Sequence, residues 1–295
     1  MVTSVHLENE FWLAEWLPEV GGKLASFRSK STGFEYLWQP PDGCWPRPEY
    51  GITYEAEYAT GFDECFPTIM PCAYPDGPWR GAAMPDHGEV WALPWQWQAG
   101  RGHVDLWVEG RVLPYRLYKR VAGDSDGSLS FRYELQNRGD DVLHYLWSAH
   151  PLFNAREDTT IALDGVPWVS VFESLSGQLG EVGSRYNWPL AAGVNLSRPG
   201  HWPKAADKVF LGGLASGWVE LHHEGLGERL LIEWQVEAAP CLGLWYNLHG
   251  WPEQAPHYNI GIEPCTTPSD LLTDSTTWLA PRETAHWWMR WKMVR

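Results

Sequence analysis

An alternation of apolar and polar residues with a period of two runs along this chain, broken by clusters of glycine, proline, asparagine and aspartate, and it constrains the fold more than any other feature. Leu129, Phe131, Tyr133 and Leu135 alternate with Ser130, Arg132 and Glu134, which puts the two sets on opposite faces of a β-strand. A strand-like run over residues 111–121 precedes them, joined by the turn sequence Gly123-Asp124-Ser125-Asp126-Gly127. After them, Asn137-Arg138-Gly139-Asp140 turns into residues 142–150, so the three runs read as an antiparallel meander. Residues 218–223, 229–235 and 242–247 repeat the pattern. In the last segment Ala285, Trp287, Met289, Trp291 and Met293 face one way and His286, Trp288, Arg290 and Lys292 the other, as in a strand between packed layers or beside a partner. Helical periodicity is nowhere sustained; only Pro268-Ser269-Asp270-Leu271-Leu272 reads as a short capped turn. The expected fold class is all-β, a large antiparallel β-sandwich. No linker, repeat or low-complexity stretch divides residues 1–295, which read as a single domain.

Composition narrows the function. The chain carries 37 Asp and Glu against 22 Lys and Arg, a net charge of −15, with no basic run. That removes the positive footprint that nucleic acid or an anionic membrane surface requires. Glu8, Glu10, Glu15 and Glu19 occupy the first residues where a secretory signal would be basic and then apolar, and no stretch is long and apolar enough to span a bilayer. Five cysteines, Cys44, Cys65, Cys72, Cys241 and Cys265, are odd in number and form no C-x-x-C pair, which fits neither a disulfide framework nor a zinc site. A cytoplasmic protein is the expectation. The 21 tryptophans suit a wide sandwich core, which is expected to take most of them, and also suit stacking against sugar rings.

Three polar groups stand inside apolar, strand-like surroundings. In Ser148-Ala149-His150-Pro151-Leu152-Phe153-Asn154 a histidine ends a strand that Pro151 is expected to break. In Asn259-Ile260-Gly261-Ile262-Glu263-Pro264-Cys265 a glutamate closes an apolar strand. In Pro85-Asp86-His87-Gly88-Glu89-Val90-Trp91 a histidine stands beside a glycine in a loop. A histidine titrates near ~6.5 and moves protons at neutral pH, and a carboxylate aimed into an apolar site becomes a stronger base. Taken singly, each also reads as structure: a hydrogen-bonded strand terminator for His150, an ion pair or solvated carboxylate for Glu263.

Together, and in this order along the chain, the motifs resemble those of the aldose 1-epimerase, or galactose mutarotase-like, family. The resemblance begins with Leu17-Pro18-Glu19-Val20-Gly21-Gly22-Lys23-Leu24-Ala25-Ser26-Phe27 and Ser31-Thr32-Gly33-Phe34-Glu35-Tyr36-Leu37. It continues through Gly61-Phe62-Asp63-Glu64-Cys65-Phe66-Pro67-Thr68-Ile69, the His87-Gly88 loop, the segment from Asn137 to His150-Pro151-Leu152-Phe153-Asn154, and Ile262-Glu263-Pro264. It implies a supersandwich with a sugar site in a groove, and an isomerase that interconverts sugar anomers without a metal or organic cofactor. On the motif match Glu263 would be the general base for the anomeric hydroxyl, His150 the general acid for the ring oxygen, and His87 a sugar-binding histidine. Asp63 and Asn154 would stand among the substrate-binding residues.

The sequence departs from the family pattern at two places. Where the hexose-6-phosphate branch carries an arginine after His-Gly, this chain has Trp91, and Glu55, Glu57, Asp63 and Glu64 add carboxylates nearby. A phosphorylated sugar would need Arg80, Arg47 or Lys23 to offset that repulsion, so an unphosphorylated sugar is expected, with a hexose-6-phosphate as the alternative. The segment Leu244-Trp245-Tyr246-Asn247-Leu248-His249-Gly250-Trp251 lacks the family's sugar-binding aspartate. There Asn247 or His249 would replace it, and Trp245 or Trp251 would stack on the ring. Glu55 and Glu57, read as strand residues facing one way, together with Asp63 are also weighed as Ca²⁺ ligands, against the reading as solvated surface charge. No histidine spacing supports a transition metal. A non-catalytic sugar-binding protein, and a glycoside hydrolase pairing Glu263 with Asp63 or Glu57, remain alternatives. The expected partner is a small sugar, with no nucleic acid or membrane; monomer and homodimer stay open.

Overall fold

The computed structural model describes residues 2–294. Two large antiparallel sheets form the sandwich. One has ten strands in the order Val5–Glu8, Trp12–Leu17, Lys23–Ser29, Phe62–Cys65, Ser148–Asn154, Tyr258–Cys265, Cys241–Leu248, Ala205–Gly212, Trp168–Ser174 and Arg185–Tyr186. The other has eight, in the order Thr159–Ala162, Trp218–His223, Glu228–Trp234, Thr284–Val294, Leu129–Asn137, Tyr115–Gly123, His103–Glu109 and Gln96–Gly100. Among the described residues no helix is long and apolar enough to cross a membrane.

The alternating runs are strands, but the expected meanders divide between the two sheets. Tyr115–Gly123 and Leu129–Asn137 form a hairpin in the eight-stranded sheet, and the chain then crosses so that Ser148–Asn154 joins the ten-stranded one. Trp218–His223 and Glu228–Trp234 do the same, followed by a crossing to Cys241–Leu248. Each hairpin buries one face and needs a second layer over it, and the third strand of each run supplies part of that layer.

The core lies between the sheets, with Trp291 at its centre. Phe27, Phe62 and Phe153 from the ten-stranded sheet approach its ring at 5.3, 5.5 and 5.2 Å, and Phe131 from its own sheet at 5.2 Å. Trp287 and Met289 are buried on the same face, while Trp288 on the other face is exposed. The final strand is therefore central in its sheet, with one face on the core and one outward. Eight of the tryptophans are buried and seven more, partly exposed, pack against the buried clusters, so packing takes most of them.

Because side chains alternate across a strand, residues next to the core positions point out of the other side of the ten-stranded sheet. Phe62 and Phe153 pack inward, so Asp63, His150 and Leu152 face outward. Ile260 and Ile262 are buried core residues, and Gly261 and Glu263 between and beyond them face outward too. Pro151 does not end its strand, which runs on to Asn154. Register pairs Ser148 with Cys265 and Leu152 with Gly261, and the ladder is open between them. Pro151 and Pro264, which have no N–H to donate, fall in that opening, and His150 stands opposite Glu263 within it. The segment around Asp270 is a series of bends rather than the expected helical turn. There Ser269 Oγ accepts the Leu271 N–H, and Asp270 O accepts the N–H groups of Ile69 and Met70.

Candidate active site

A cavity of about 670 Å³ opens on the outer face of the ten-stranded sheet. His150, Glu263, Lys208 and Trp245 come from four adjacent strands of the sheet, and Tyr54, His87, Trp251 and Asp270 come from loops that wall it. His150 Nε2 lies 3.6 Å from Glu263 Oε1. Lys208 Nζ lies 2.9 Å from Glu263 Oε2 and forms a buried ion pair with it, while Oε1 is buried without a hydrogen-bond partner. The same ammonium donates to both oxygens of Asp270, at 2.8 and 3.0 Å.

Two glycines make room for the carboxylate. A Cβ at Gly243, opposite Glu263 on the next strand, would stand 3.0 Å from Oε2, and one at Gly261 would stand 2.7 Å from Oε1. The His87-Gly88 pair has a similar cause. His87 and Gly88 both adopt positive φ, 57° and 77°, and a Cβ at Gly88 would lie 2.1 Å from the carbonyl oxygen of Phe66. Only glycine permits that approach. The turn aims the His87 ring at the cavity, where it stacks on Tyr54 at 4.0 Å and meets His150 edge-on at 5.2 Å. Asp86 Oδ1 is 2.9 Å from His87 Nδ1, and Asp86 Oδ2 accepts the Tyr54 N–H.

Electrostatics separate these groups. Burial would raise Glu263, but the Lys208 charge, and then His150, hold its carboxyl below the ordinary carboxylate value. Burial dominates for Asp270, whose carboxyl is raised with Glu263 adding to the effect while Lys208 opposes it. Of two carboxyls around one ammonium, Glu263 is therefore the more readily ionised. Burial would lower Lys208, but Asp270 and Glu263 outweigh it and raise the group, so it stays an ammonium. Burial pushes His150 down to about 3 against the pull of Glu263, which leaves the imidazole neutral near pH 7. Asp86 is held low because the His87 hydrogen bond and charge outweigh burial.

Of the residues singled out in the sequence, His150, Glu263, His87 and Trp245 meet at this cavity, as does Trp251. Four do not reach it. Asp63 lies behind Tyr54, its Oδ2 accepting from Tyr54 OH at 2.8 Å and Lys23 Nζ at 2.5 Å. Asn154 donates to the carbonyls of Glu35 and Leu37, which fixes a neighbouring loop. Asn247 clasps the backbone N–H and C=O of Trp251 and so acts through that tryptophan. His249 stacks on Tyr258 at 4.5 Å. The acidic cluster does not converge either. Residues 56–58 are turn and Glu55 lies outside any strand, Glu55 and Glu57 are exposed, and Asp63 and Glu64 point to opposite faces of their sheet. Among the described residues no group of three or more His, Cys, Asp or Glu could hold a metal ion. Of the cations considered for a phosphate, Lys23 is buried on Asp63, Arg47 pairs with Glu19, and Arg80 is exposed outside the cavity lining.

Lys208, Asp270 and Tyr54 are site residues that sequence reasoning missed. Lys208 had a signal, a lone lysine within the apolar run Ala205–Gly212. Asp270 had none, since only the return of its loop over the sheet brings it to Lys208.

The architecture is thus a two-sheet antiparallel sandwich with a histidine, a carboxylate and an ammonium on the outer face of its larger sheet. It is the galactose mutarotase-like fold. A putative aldose 1-epimerase from Escherichia coli superposes with a TM-score of 0.75 at 15% identity, over 100% of this chain and 99% of that one. A galactose mutarotase-like protein from Lactobacillus casei gives 0.73 at 18% identity, over 99% and 100% of the two chains. One from Clostridium acetobutylicum gives 0.71 at 13% identity, over 100% and 96%. No protein-family model matches the sequence, and no curated protein matches it.

Proposed function

We propose that the chain is an aldose 1-epimerase that interconverts the α and β anomers of a free, unphosphorylated sugar. The observation that carries this reading is the pair on the cavity floor, an ionised, buried Glu263 whose Oε1 has no hydrogen-bond partner and faces His150 Nε2 at 3.6 Å. Glu263 takes the proton of the anomeric hydroxyl as the bond between C1 and the ring oxygen breaks, and His150 gives its proton to that oxygen. The open-chain aldehyde turns about the C1–C2 bond. Closure on the other face returns the Glu263 proton to O1 and the ring-oxygen proton to His150. Lys208 is a positioning residue that keeps Glu263 ionised, and His87, stacked on Tyr54, meets the sugar near the reacting carbon. An imidazolium at His150 is a strong acid toward an ether oxygen because burial disfavours it, and more of it forms as pH falls.

A purely sugar-binding protein would need no such acid and base. The unphosphorylated substrate is supported by the absence of Lys23, Arg47 and Arg80 from the cavity lining. The test is anomer exchange by NMR saturation transfer on free and 6-phosphorylated aldoses. Catalysed exchange is expected to rise from about pH 8 to about pH 5, and Glu263→Gln and His150→Asn are each expected to lower it about 10²-fold or more. Full activity in both variants would overturn the assignment, and binding without exchange would make the chain a binding protein of this fold.

A further inference from the structure

A neutral histidine ring donates a hydrogen bond from one nitrogen and accepts at the other, and its neighbours decide which is which. At His87 the neighbour is Asp86. Asp86 Oδ1 lies 2.9 Å from His87 Nδ1, while Oδ2 accepts the Tyr54 N–H at 2.9 Å. Burial would raise the Asp86 carboxyl, but the His87 hydrogen bond and charge, helped by the Tyr54 N–H, hold it below the ordinary carboxylate value. An ionised carboxylate only accepts, so the proton between Oδ1 and the ring belongs to Nδ1. Nε2 is then the acceptor of the neutral ring, and it has no hydrogen-bond partner among the described residues.

The same carboxylate fixes where that ring points. His87 stacks on Tyr54 at 4.0 Å with 16° between the planes. Asp86 holds the Tyr54 backbone, and Asp63 accepts from the Tyr54 OH at 2.8 Å. The loop around the pair is fixed as well: the His87 N–H donates to the Ile69 carbonyl, and the Asp86 carbonyl accepts the Trp91 indole N–H at 2.8 Å. His87 adopts a φ of 57°, a left-handed conformation that is costly for a residue with a side chain unless its surroundings impose it. His150 meets the ring edge-on at 5.2 Å, so His87 stands beside the acid and base of the mutarotase reading.

We propose, building on the mutarotase reading, that Asp86 is a positioning residue that locks His87 in the tautomer with its proton on Nδ1, so that Nε2 meets the sugar as an acceptor and selects a hydroxyl that donates. The carboxylate suits this task at both oxygens. An amide at position 86 would have one acceptor and one donor group. Its oxygen stays with the Tyr54 N–H, because an unpaired backbone donor is costly, and its NH2 then faces Nδ1 and donates to it. The ring proton moves to Nε2. Asp86→Asn therefore keeps the ring and its stacking but turns the acceptor in the cavity into a donor.

The experiment is nitrogen-15 NMR of the histidine rings at about pH 8, above the ordinary histidine value of about 6.5, with His87→Gln identifying the His87 signals. The proton is expected on Nδ1 in the wild type and on Nε2 in Asp86→Asn. A wild-type ring protonated at Nε2, or one tautomer in both proteins, would overturn the proposal, and the wild-type spectrum tests it even if the variant fails to fold. Exchange kinetics read the consequence. Asp86→Asn is expected to raise KM about tenfold, the effect of one hydrogen bond, with a smaller change in kcat. A loss confined to kcat would overturn the role in recognition. Binding is then compared for aldoses in which fluorine, which accepts but does not donate, replaces one hydroxyl at a time. At one position fluorine is expected to weaken wild-type binding about tenfold and Asp86→Asn binding much less. The absence of such a position would overturn the selection of a donor. If no sugar exchanges, the mutarotase reading fails, while the tautomer and the fluorinated sugars still test Asp86.

Discussion

Two buried lysine–carboxylate pairs lie on opposite faces of the ten-stranded sheet, and they differ in how completely the carboxylate is satisfied. On the core side Glu64 Oε1 accepts from Lys119 Nζ at 3.0 Å and Tyr133 OH at 2.9 Å, and Oε2 accepts from the Trp147 indole at 2.9 Å. Lys119 comes from the facing sheet, so this pair joins the two layers through the core. On the cavity side Glu263 has the same type of counter-charge 2.9 Å from Oε2 but no donor on Oε1, and it shares that charge with Asp270 while facing His150. A satisfied buried carboxylate is structural, because any change leaves a partner unpaired in low dielectric. A buried carboxylate with open lone pairs is a device for taking a proton or a hydroxyl hydrogen.

The largest effect expected from this contrast is on stability. Glu64→Gln should destabilise the fold by about 3 kcal/mol or more, since it leaves Lys119 buried without its counter-charge. Glu263→Gln should cost far less, because Lys208 keeps Asp270. Urea midpoints of the two variants measure the difference, and equal losses would break the comparison. Next in size is an effect on activity alone. Gly261→Ala places a methyl group 2.7 Å from Glu263 Oε1, and the displaced carboxylate should lower exchange by about tenfold or more, with the urea midpoint little changed. A crystal structure of that variant with Glu263 unmoved would refute displacement of the carboxylate as the cause.

The smallest effect is a shift in pH. Lys208 holds the Glu263 carboxyl low against burial, so Lys208→Met lets burial raise it. The base then becomes protonated at higher pH, and the acid side of the exchange profile should move upward by about a unit or more. The wild-type profile, whose base stays ionised further into acid, should show no such turnover above about pH 5. Superimposable profiles would mean that Lys208 positions Glu263 without tuning it.

The site is partly legible in the sequence. His150 and Glu263 stand out because a titratable residue next to proline in an apolar strand is locally anomalous, and His87-Gly88 because the glycine marks a special turn. Asp63, Asn154, Asn247 and His249 are as polar and as well placed in sequence, yet each is engaged in holding a loop, a ring or a buried lysine. Polarity marks a residue as needing partners and does not say whether backbone or ligand will provide them. The neighbours Asp63 and Glu64 make the same point, since alternation sends one toward the cavity wall and the other into the core.

The sequence by itself determined the all-β class and the faces of most strands, because these follow from periodicity along short windows, and it singled out His150 and Glu263 as candidates through a resemblance of ordered motifs. Only the tertiary structure decided which sheet each third strand joins, that Pro151 and Pro264 leave an opening in one ladder, and that Lys208 and Asp270 complete the charge balance of Glu263. Those outcomes depend on pairings between segments far apart in the chain, where burial and register across two layers, rather than local pattern, select the neighbour.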